Sequence, residues 1–370
     1  MKTSRRETDI IVIALIAAVW LGLALFAWLK PADKISASER RPLHERPRPE
    51  WHTVTSGQFM RDFELYAKDQ FPLRDSFRSL KAMTRYYLLR QKENNDIYIA
   101  DGYAAKIEYP LNGKAIKQAT DKFREIYDDY MRGTDVNVYY SVIPDKNYFM
   151  ADKHGYPVMD YDRLVDLMRQ GMDFADYIDI FPALSLDDYY RTDLHWKQEN
   201  LGPVVDRLGE AMGRADQLSD RYTETVHDKP FNGVYAGQSA LPLESDRIVC
   251  LQNDATAAST VHRLDNDTSA PVYQLDKLTG RDPYDVYLGG ALPVLTIENP
   301  LARTDRELVI FRDSFGSSLA PLLLEGYAKI TLIDIRYMNS SLIGDFVTFT
   351  DQDVLFFYNT IILNASVMFK

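Results

Sequence analysis

Ser314, His195 and Asp193 have the side-chain types from which a nucleophilic relay is built. A serine hydroxyl attacks a carbonyl once a base takes its proton. Imidazole serves best as that base when a carboxylate fixes its tautomer and stabilises the imidazolium. Asp193-Leu194-His195 puts carboxylate and imidazole on one short loop, so a single backbone turn orients both. Ser314 falls near the end of Leu308-Val-Ile-Phe-Arg-Asp-Ser-Phe-Gly316. An apolar run followed by small polar residues and glycine is the pattern of a buried strand that stops in a tight turn and enters a helix. A serine there stands above the carboxyl edge of the sheet, where open α/β folds bind ligands. It also lies beside the free N–H groups of the following helix, read as Ser317 to Leu324, which suit a developing oxyanion.

Each half is weak alone. Asp-x-His is more often a capped turn or a surface pair, and a serine opening a helix is normally its N-cap. The Gly-x-Ser-x-Gly elbow of the usual α/β hydrolases is absent. The two halves gain weight together, because each supplies what the other lacks. His44 and His52 fall in a polar N-terminal tether, and His154, His227 and His262 in loop-like contexts. A metal held by Asp193 and His195 is the weakest reading, since no second His or Cys stands near them. The relay itself requires no cofactor.

The surrounding pattern explains how such residues would be positioned. From Lys114 onward, helical stripes (Ile116, Phe123, Ile126, Tyr127, Tyr130) alternate with apolar runs at Val136–Ile143, Tyr177–Phe181, Leu308–Arg312, Lys329–Asp334 and Val354–Phe357. That alternation predicts a mainly parallel sheet covered on both faces. Residues 215–306 interrupt it with short β-like pieces, Arg247–Leu251 and Val272–Leu275, among Gly, Asp, Asn and Pro, and read as a β-rich insertion beside the sheet. Ile97 to Tyr103 reads as a hairpin turned by Asp101-Gly102. Ahead of it, Ser56 to Gln91 reads as two helices, one with a Phe59, Phe63, Tyr66 face and one with a Phe77, Leu80, Met83, Tyr87, Leu88 face.

With 46% apolar and 12% aromatic residues, the 370-residue chain supports a sizeable core. Its net charge of −11 argues against a nucleic-acid partner. The lone Cys250 excludes an internal disulfide. Residues 10–29 carry no charge and are long enough to cross a bilayer once as a helix. Lys2, Arg5 and Arg6 precede the span, which predicts an N-terminus on the cytoplasmic side and residues 31–370 outside. No strong cleavage site follows, so an uncleaved anchor at 1–30 is expected. A Pro- and Arg-rich tether at 31–55 and an α/β domain at 56–370 complete the expected organisation.

Taken together, Asp193-Leu194-His195-Trp196, the Asp313–Gly316 turn and the N-terminal anchor resemble the DHHW family of bacterial envelope proteins. Lys68–Arg74, Ile143–Lys146 and Phe231–Tyr235 match further stretches of that pattern. Leu194 stands where the signature has its first His, a position outside the inferred triad. The family is similar in fold to the SGNH-hydrolase-like proteins that O-acetylate alginate, a three-layer α/β sandwich. Asp-x-His ahead of Ser agrees with their order and reverses that of most SGNH enzymes. The resemblance implies Ser314 as nucleophile, His195 as base and Asp193 as its orienting partner. It also implies a polysaccharide acceptor and a membrane-bound O-acyltransferase as partner and source of the acyl group. The Gly and Asn donors of many SGNH enzymes have no clear match. Arg336 and Tyr358 occupy comparable strand ends, with a salt bridge from Arg336 to Asp334 or Asp313 as the stronger alternative. Trp196 is placed either against a sugar face or behind the histidine loop, and Lys146 on the same sheet edge. An acyltransferase, a carbohydrate esterase with the same residues and a non-catalytic binding protein all remain open. In the last, Ser314 and His195 would lie too far apart to hydrogen-bond.

Overall fold

The computed structural model describes residues 2–218, 221–264 and 267–370, with side chains from residue 6. The chain groups into two units, Met1–Asn95 with Ala236–Pro242 and Asp96–Tyr235 with Leu243–Lys370. Residues 56–95, expected within the α/β domain, thus belong with the N-terminal segment.

In the first unit, α1 (Lys2–Leu29) contains one stretch, Arg6–Leu29, that is long and apolar enough to cross a membrane. The tether after it is partly structured. Strands β1 (Ile35–Ser36) and β2 (Arg41–Pro42) pair antiparallel. The Arg41 guanidinium donates to both oxygens of Asp69, and the backbone N–H of His44 donates to one of them. The hydrogen bond from Arg41 holds the buried Asp69 carboxyl well below the usual range. Asp69 closes α2 (Gln58–Asp69), and α3 (Arg74–Met83) follows, continued by a wider helical turn over Thr84–Leu88.

The second unit is built on an eight-stranded sheet of order β10-β9-β11-β13-β12-β14-β5-β6. Its parallel part comprises β5 (Asn137–Ile143), β6 (Asp176–Tyr177), β12 (Glu307–Arg312), β13 (Lys329–Ile333) and β14 (Asp353–Asn359). Strand β12 lies between β13 and β14, with Leu308 opposite Ile330 and Asp353. The run at Leu308 is continuously apolar because both faces of this central strand are covered. Leu308 and Ile310 join the core layer of Val204, Val205 and Leu208 on α6 (Gly202–Ala211). Val309 and Phe311 join the opposite layer, with Phe123 on α4 (Gly113–Tyr130) and Leu164 on α5 (Tyr161–Gly171). This is the expected three-layer α/β sandwich.

The insertion departs from expectation. Instead of lying beside the sheet, it adds three antiparallel strands to it: β9 (Thr260–Arg263), β10 (Thr268–Pro271) and β11 (Val294–Glu298). Strands β7 (Thr223–Val226) and β8 (Val249–Gln252) form a separate pair. Pro271 is tolerated because β10 is the edge strand. The strand expected at Tyr177–Phe181 is reduced to the two residues of β6. The hairpin forms as read: β3 (Ile97–Ala100) and β4 (Tyr103–Lys106) flank Asp101-Gly102, both at positive φ as a type I′ turn requires.

Candidate active site

Strand β12 ends at Arg312, and the chain turns through Asp313, Ser314 and Phe315 into the short helix α7 (Gly316–Leu319). Asp313 fixes the turn. Its carboxylate accepts the N–H of Phe315 at 2.9 Å and that of Asn359, at the end of β14, at 2.7 Å. Burial pushes the Asp313 carboxyl up, against the opposing pull of Arg336 and of those two N–H groups. Gly316 is required here, since a Cβ would lie 2.9 Å from that of Arg312. Asp313 thus holds the turn, and the Ser314 hydroxyl is left for another partner. Between Leu308 and Leu324 every residue but Ser314 is buried.

That partner is His195. Its Nε2 lies 2.7 Å from Ser314 Oγ, and its Nδ1 lies 2.6 Å from Asp193 Oδ1. With the carboxylate accepting from Nδ1–H, Nε2 presents its lone pair to the hydroxyl. Asp193 is wholly buried; its Oδ1 also accepts the N–H of His195, and its Oδ2 accepts that of Val234 at 2.8 Å. Serine, histidine and aspartate thus form one continuous hydrogen-bonded row.

The loop carrying Asp193 is held from three sides. Asp246 accepts the N–H groups of Arg191 and Thr192 and the Thr192 hydroxyl. The Thr192 oxygen accepts the N–H of Gly233, and the Thr192 carbonyl accepts that of Tyr235. A Cβ on Gly233 would stand 2.3 Å from that of Asp193, so only glycine lets this strand of chain approach the carboxylate. Gly233→Ala is expected to lower activity by about 100-fold, the scale of a 1 Å misplacement. It should also cost about 1–3 kcal/mol of stability through overpacking; initial rates and thermal melts check the two effects.

The imidazole plane is fixed by Tyr284, whose ring stacks on it at 3.8 Å and 8°. The Tyr284 hydroxyl meets Ser318 Oγ at 2.8 Å, and the same oxygen accepts the Trp196 indole N–H at 2.8 Å. Gln198 completes the bracket by donating to the Ser318 carbonyl at 2.7 Å. Sequence reading passed over Tyr284, Asp246, Ser318 and Gln198. Within Phe231–Tyr235, Gly233 is the residue whose type reflects close approach to the site.

No family model and no curated protein sequence matches the chain. Solved structures do. A DHHW family protein from Eubacterium siraeum superposes with a TM-score of 0.58 at 18% identity, covering 73% of this chain and 93% of that one. This chain shares its fold. Bacillus cereus PatB1, solved with a sulfonyl adduct, superposes at 0.56 and 16% identity, over 74% of this chain and 97% of its own. The resemblance read from the sequence motifs therefore holds at the level of fold.

Four other residues singled out from the sequence are not assembled around Ser314. Trp196 is completely buried, so it offers no face to a sugar; it packs against Phe315 and Phe357 behind the histidine loop. Arg336 is committed to Asp334, donating to its two oxygens at 2.8 and 2.6 Å, which is the salt bridge weighed against an oxyanion role. Tyr358 stacks on Phe123 in the α4 layer, because alternation along β14 turns it away from the face that holds Trp196. Lys146 is buried beneath the loop and donates to the carbonyl of Tyr190 at 2.9 Å, with its Nζ 5.2 Å from the centroid of the Tyr235 ring. It braces the loop and does not line a surface.

Burial pushes the Lys146 ammonium down to about 7, against Asp193, Asp246 and Asp145, which favour its charge. Between there and the ordinary lysine value the unfolded chain binds this proton and the folded protein releases it, so this lysine stabilises the fold increasingly as pH rises. Wild type is therefore expected to gain thermal stability relative to Lys146→Met as pH is raised from 7 to 10. Paired melts across that window test the sign.

Proposed function

We propose that the protein is a membrane-anchored, extracytoplasmic O-acetyltransferase acting on a hydroxyl of a cell-surface or exported polysaccharide. The observation that carries this reading is the row Ser314–His195–Asp193, with its distances of 2.7 and 2.6 Å. A binding protein of the same fold would have no need to hold that hydroxyl on a base.

Ser314 Oγ attacks the donor carbonyl while Nε2 of His195 takes its proton, and Asp193 stabilises the imidazolium. Collapse expels the donor's leaving group, which takes the proton from Nε2, and leaves an acetyl ester on Ser314. A sugar hydroxyl then attacks that ester, giving its proton to Nε2. As the acetyl sugar departs, Ser314 Oγ recovers the proton, so the enzyme ends as it began. The backbone N–H of Ser314 makes no hydrogen bond among the described residues, which leaves it available to the oxyanion in both halves. In this reading the Arg6–Leu29 helix spans the membrane with the N-terminus in the cytoplasm. A membrane-bound O-acyltransferase passes the acyl group outward to Ser314. By the same nucleophilic chemistry, Ser314 is the residue in this chain that would carry a sulfonyl adduct of the kind seen on PatB1.

The test is acetyl release from an activated ester by the full-length protein, with and without glycan acceptors. Transfer to the glycan, lost in Ser314→Ala, is expected. Hydrolysis to acetate unaffected by any glycan would make the protein an esterase, and equal rates for wild type and variant would remove catalysis from the account.

A further inference from the structure

The helical stripe read from the sequence on α3 and its extension is largely exposed, with Phe71 meeting only the edge of Phe77 at 5.5 Å. Phe77, Leu80, Met83, Tyr87 and Leu88 are 45, 56, 39, 58 and 75% exposed, and Leu73, just before the helix, is 68% exposed. The side chain turned inward is Ala82, fully buried. Arg78 also turns away from the stripe, bonding to Glu39 and to the carbonyl of Gly237. The helix thus keeps a small residue inside and sets its largest apolar ones outside, the reverse of a helix that closes a core.

Three features of the same unit indicate what covers this face. The unit contains the Arg6–Leu29 segment, with a mean hydropathy of 2.9 and none of it buried. The exit of that segment is fastened close to the start of α3. The N–H of Asp33 donates to Gln70 Oε1, and the Gln70 amide donates back to the Asp33 carbonyl, both at 2.9 Å. Arg74, the first residue of α3, pairs with Glu39. The chain from Leu29 to Asp33 reaches at most about 14 Å, which keeps α3 near the point where the span ends. The third feature is charge. Residues 73–92 hold Arg74, Arg78, Lys81, Arg85, Arg90 and Lys92 against Asp75; Arg74 and Arg78 pair with Glu39 and Arg85 with Glu93, while Lys81, Arg90 and Lys92 are exposed.

We infer that α3 and its extension to Leu88 lie in the plane of the membrane crossed by residues 10–29. Leu73, Phe77, Leu80, Tyr87 and Leu88 enter the boundary between headgroups and acyl chains, and Lys81, Arg90 and Lys92 meet anionic headgroups. An apolar helical face with basic flanks is the composition that binds there. The inference rests on the reading of residues 10–29 as a span, and it gives this unit a second hold on the bilayer.

The test reconstitutes the full-length protein in phosphatidylethanolamine–phosphatidylglycerol vesicles. A fluorophore is placed singly through Leu80→Cys, Leu88→Cys, Asp75→Cys or Val19→Cys; the native Cys250 is buried and does not compete for label. A lipid-borne nitroxide should quench the labels at 80 and 88 several-fold more than the label at 75, and the label at 19 as well. Quenching at 19 with 80 and 88 no different from 75 overturns the inference and leaves the span intact. Labels at 80 and 88 shielded from aqueous iodide yet unquenched by the nitroxide show that a protein, not lipid, covers the face, which also overturns it. No quenching at any position removes the span and the inference together.

Discussion

His195→Ala is expected to reduce turnover of an activated acetyl ester by roughly 10⁶-fold, the loss found when a relay is broken at its base. Without the imidazole, Ser314 keeps its proton at neutral pH, and the Asp193 carboxylate is left with nothing to orient. The substitution removes the ring that stacks on Tyr284 but none of the bonds that hold Asp193 through Val234 or Thr192 through Asp246. The fold should therefore survive. Because the three residues act as one unit, Ser314→Ala/His195→Ala should be no slower than either single variant. Steady-state rates for the two single variants and the double variant measure this. A double variant slower by the product of the single losses would mean that the residues act independently.

Asp193→Asn should cost about 10⁴-fold in turnover for a different reason. The two carboxylate oxygens have fixed duties: one accepts the Nδ1–H and the backbone N–H of His195, the other the backbone N–H of Val234. A carboxamide has one acceptor oxygen for these three donors. If its oxygen stays on Nδ1–H, its NH₂ faces the N–H of Val234 and two buried donors collide. If it flips, its NH₂ donates to Nδ1 and faces the backbone N–H of His195, the proton moves to Nε2, and the imidazole no longer accepts from Ser314. Either arrangement costs stability, on the order of 1–3 kcal/mol for an unsatisfied buried group. Only the second also loses turnover. Rates and melts on the same preparation separate them, and a near-wild-type rate would show that Asp193 does not set the tautomer.

The fold and the row of three were legible because their signals are local. A central parallel strand must be apolar on both faces, so Leu308–Arg312 stands out, and the polar turn after it can only be its carboxyl end. Asp193 and His195 are two residues apart, and their geometry follows from one loop. What stayed hidden depends on direction or distance. Sequence places Tyr358 at a strand end, but only the pairing of β14 shows that it enters the α4 layer. Trp196 and Lys146 were placed in the right neighbourhood, yet their burial turns both into braces for the histidine loop. Tyr284 comes from the insertion, whose strands were expected beside the sheet and in fact extend it, and nothing local marks that tyrosine as the neighbour of His195. The α3 stripe shows the limit most plainly: periodicity reveals an apolar face but not what it faces.

The acyl-enzyme is the most direct test. The full-length protein would be mixed with an activated acetyl ester, quenched in acid and digested, and the peptide containing Leu308–Leu324 examined by mass spectrometry. The account predicts an acetyl group on Ser314 in wild type, absent from Ser314→Ala and formed far more slowly in His195→Ala. An unmodified Ser314 in a wild-type protein that turns over no faster than Ser314→Ala would contradict it.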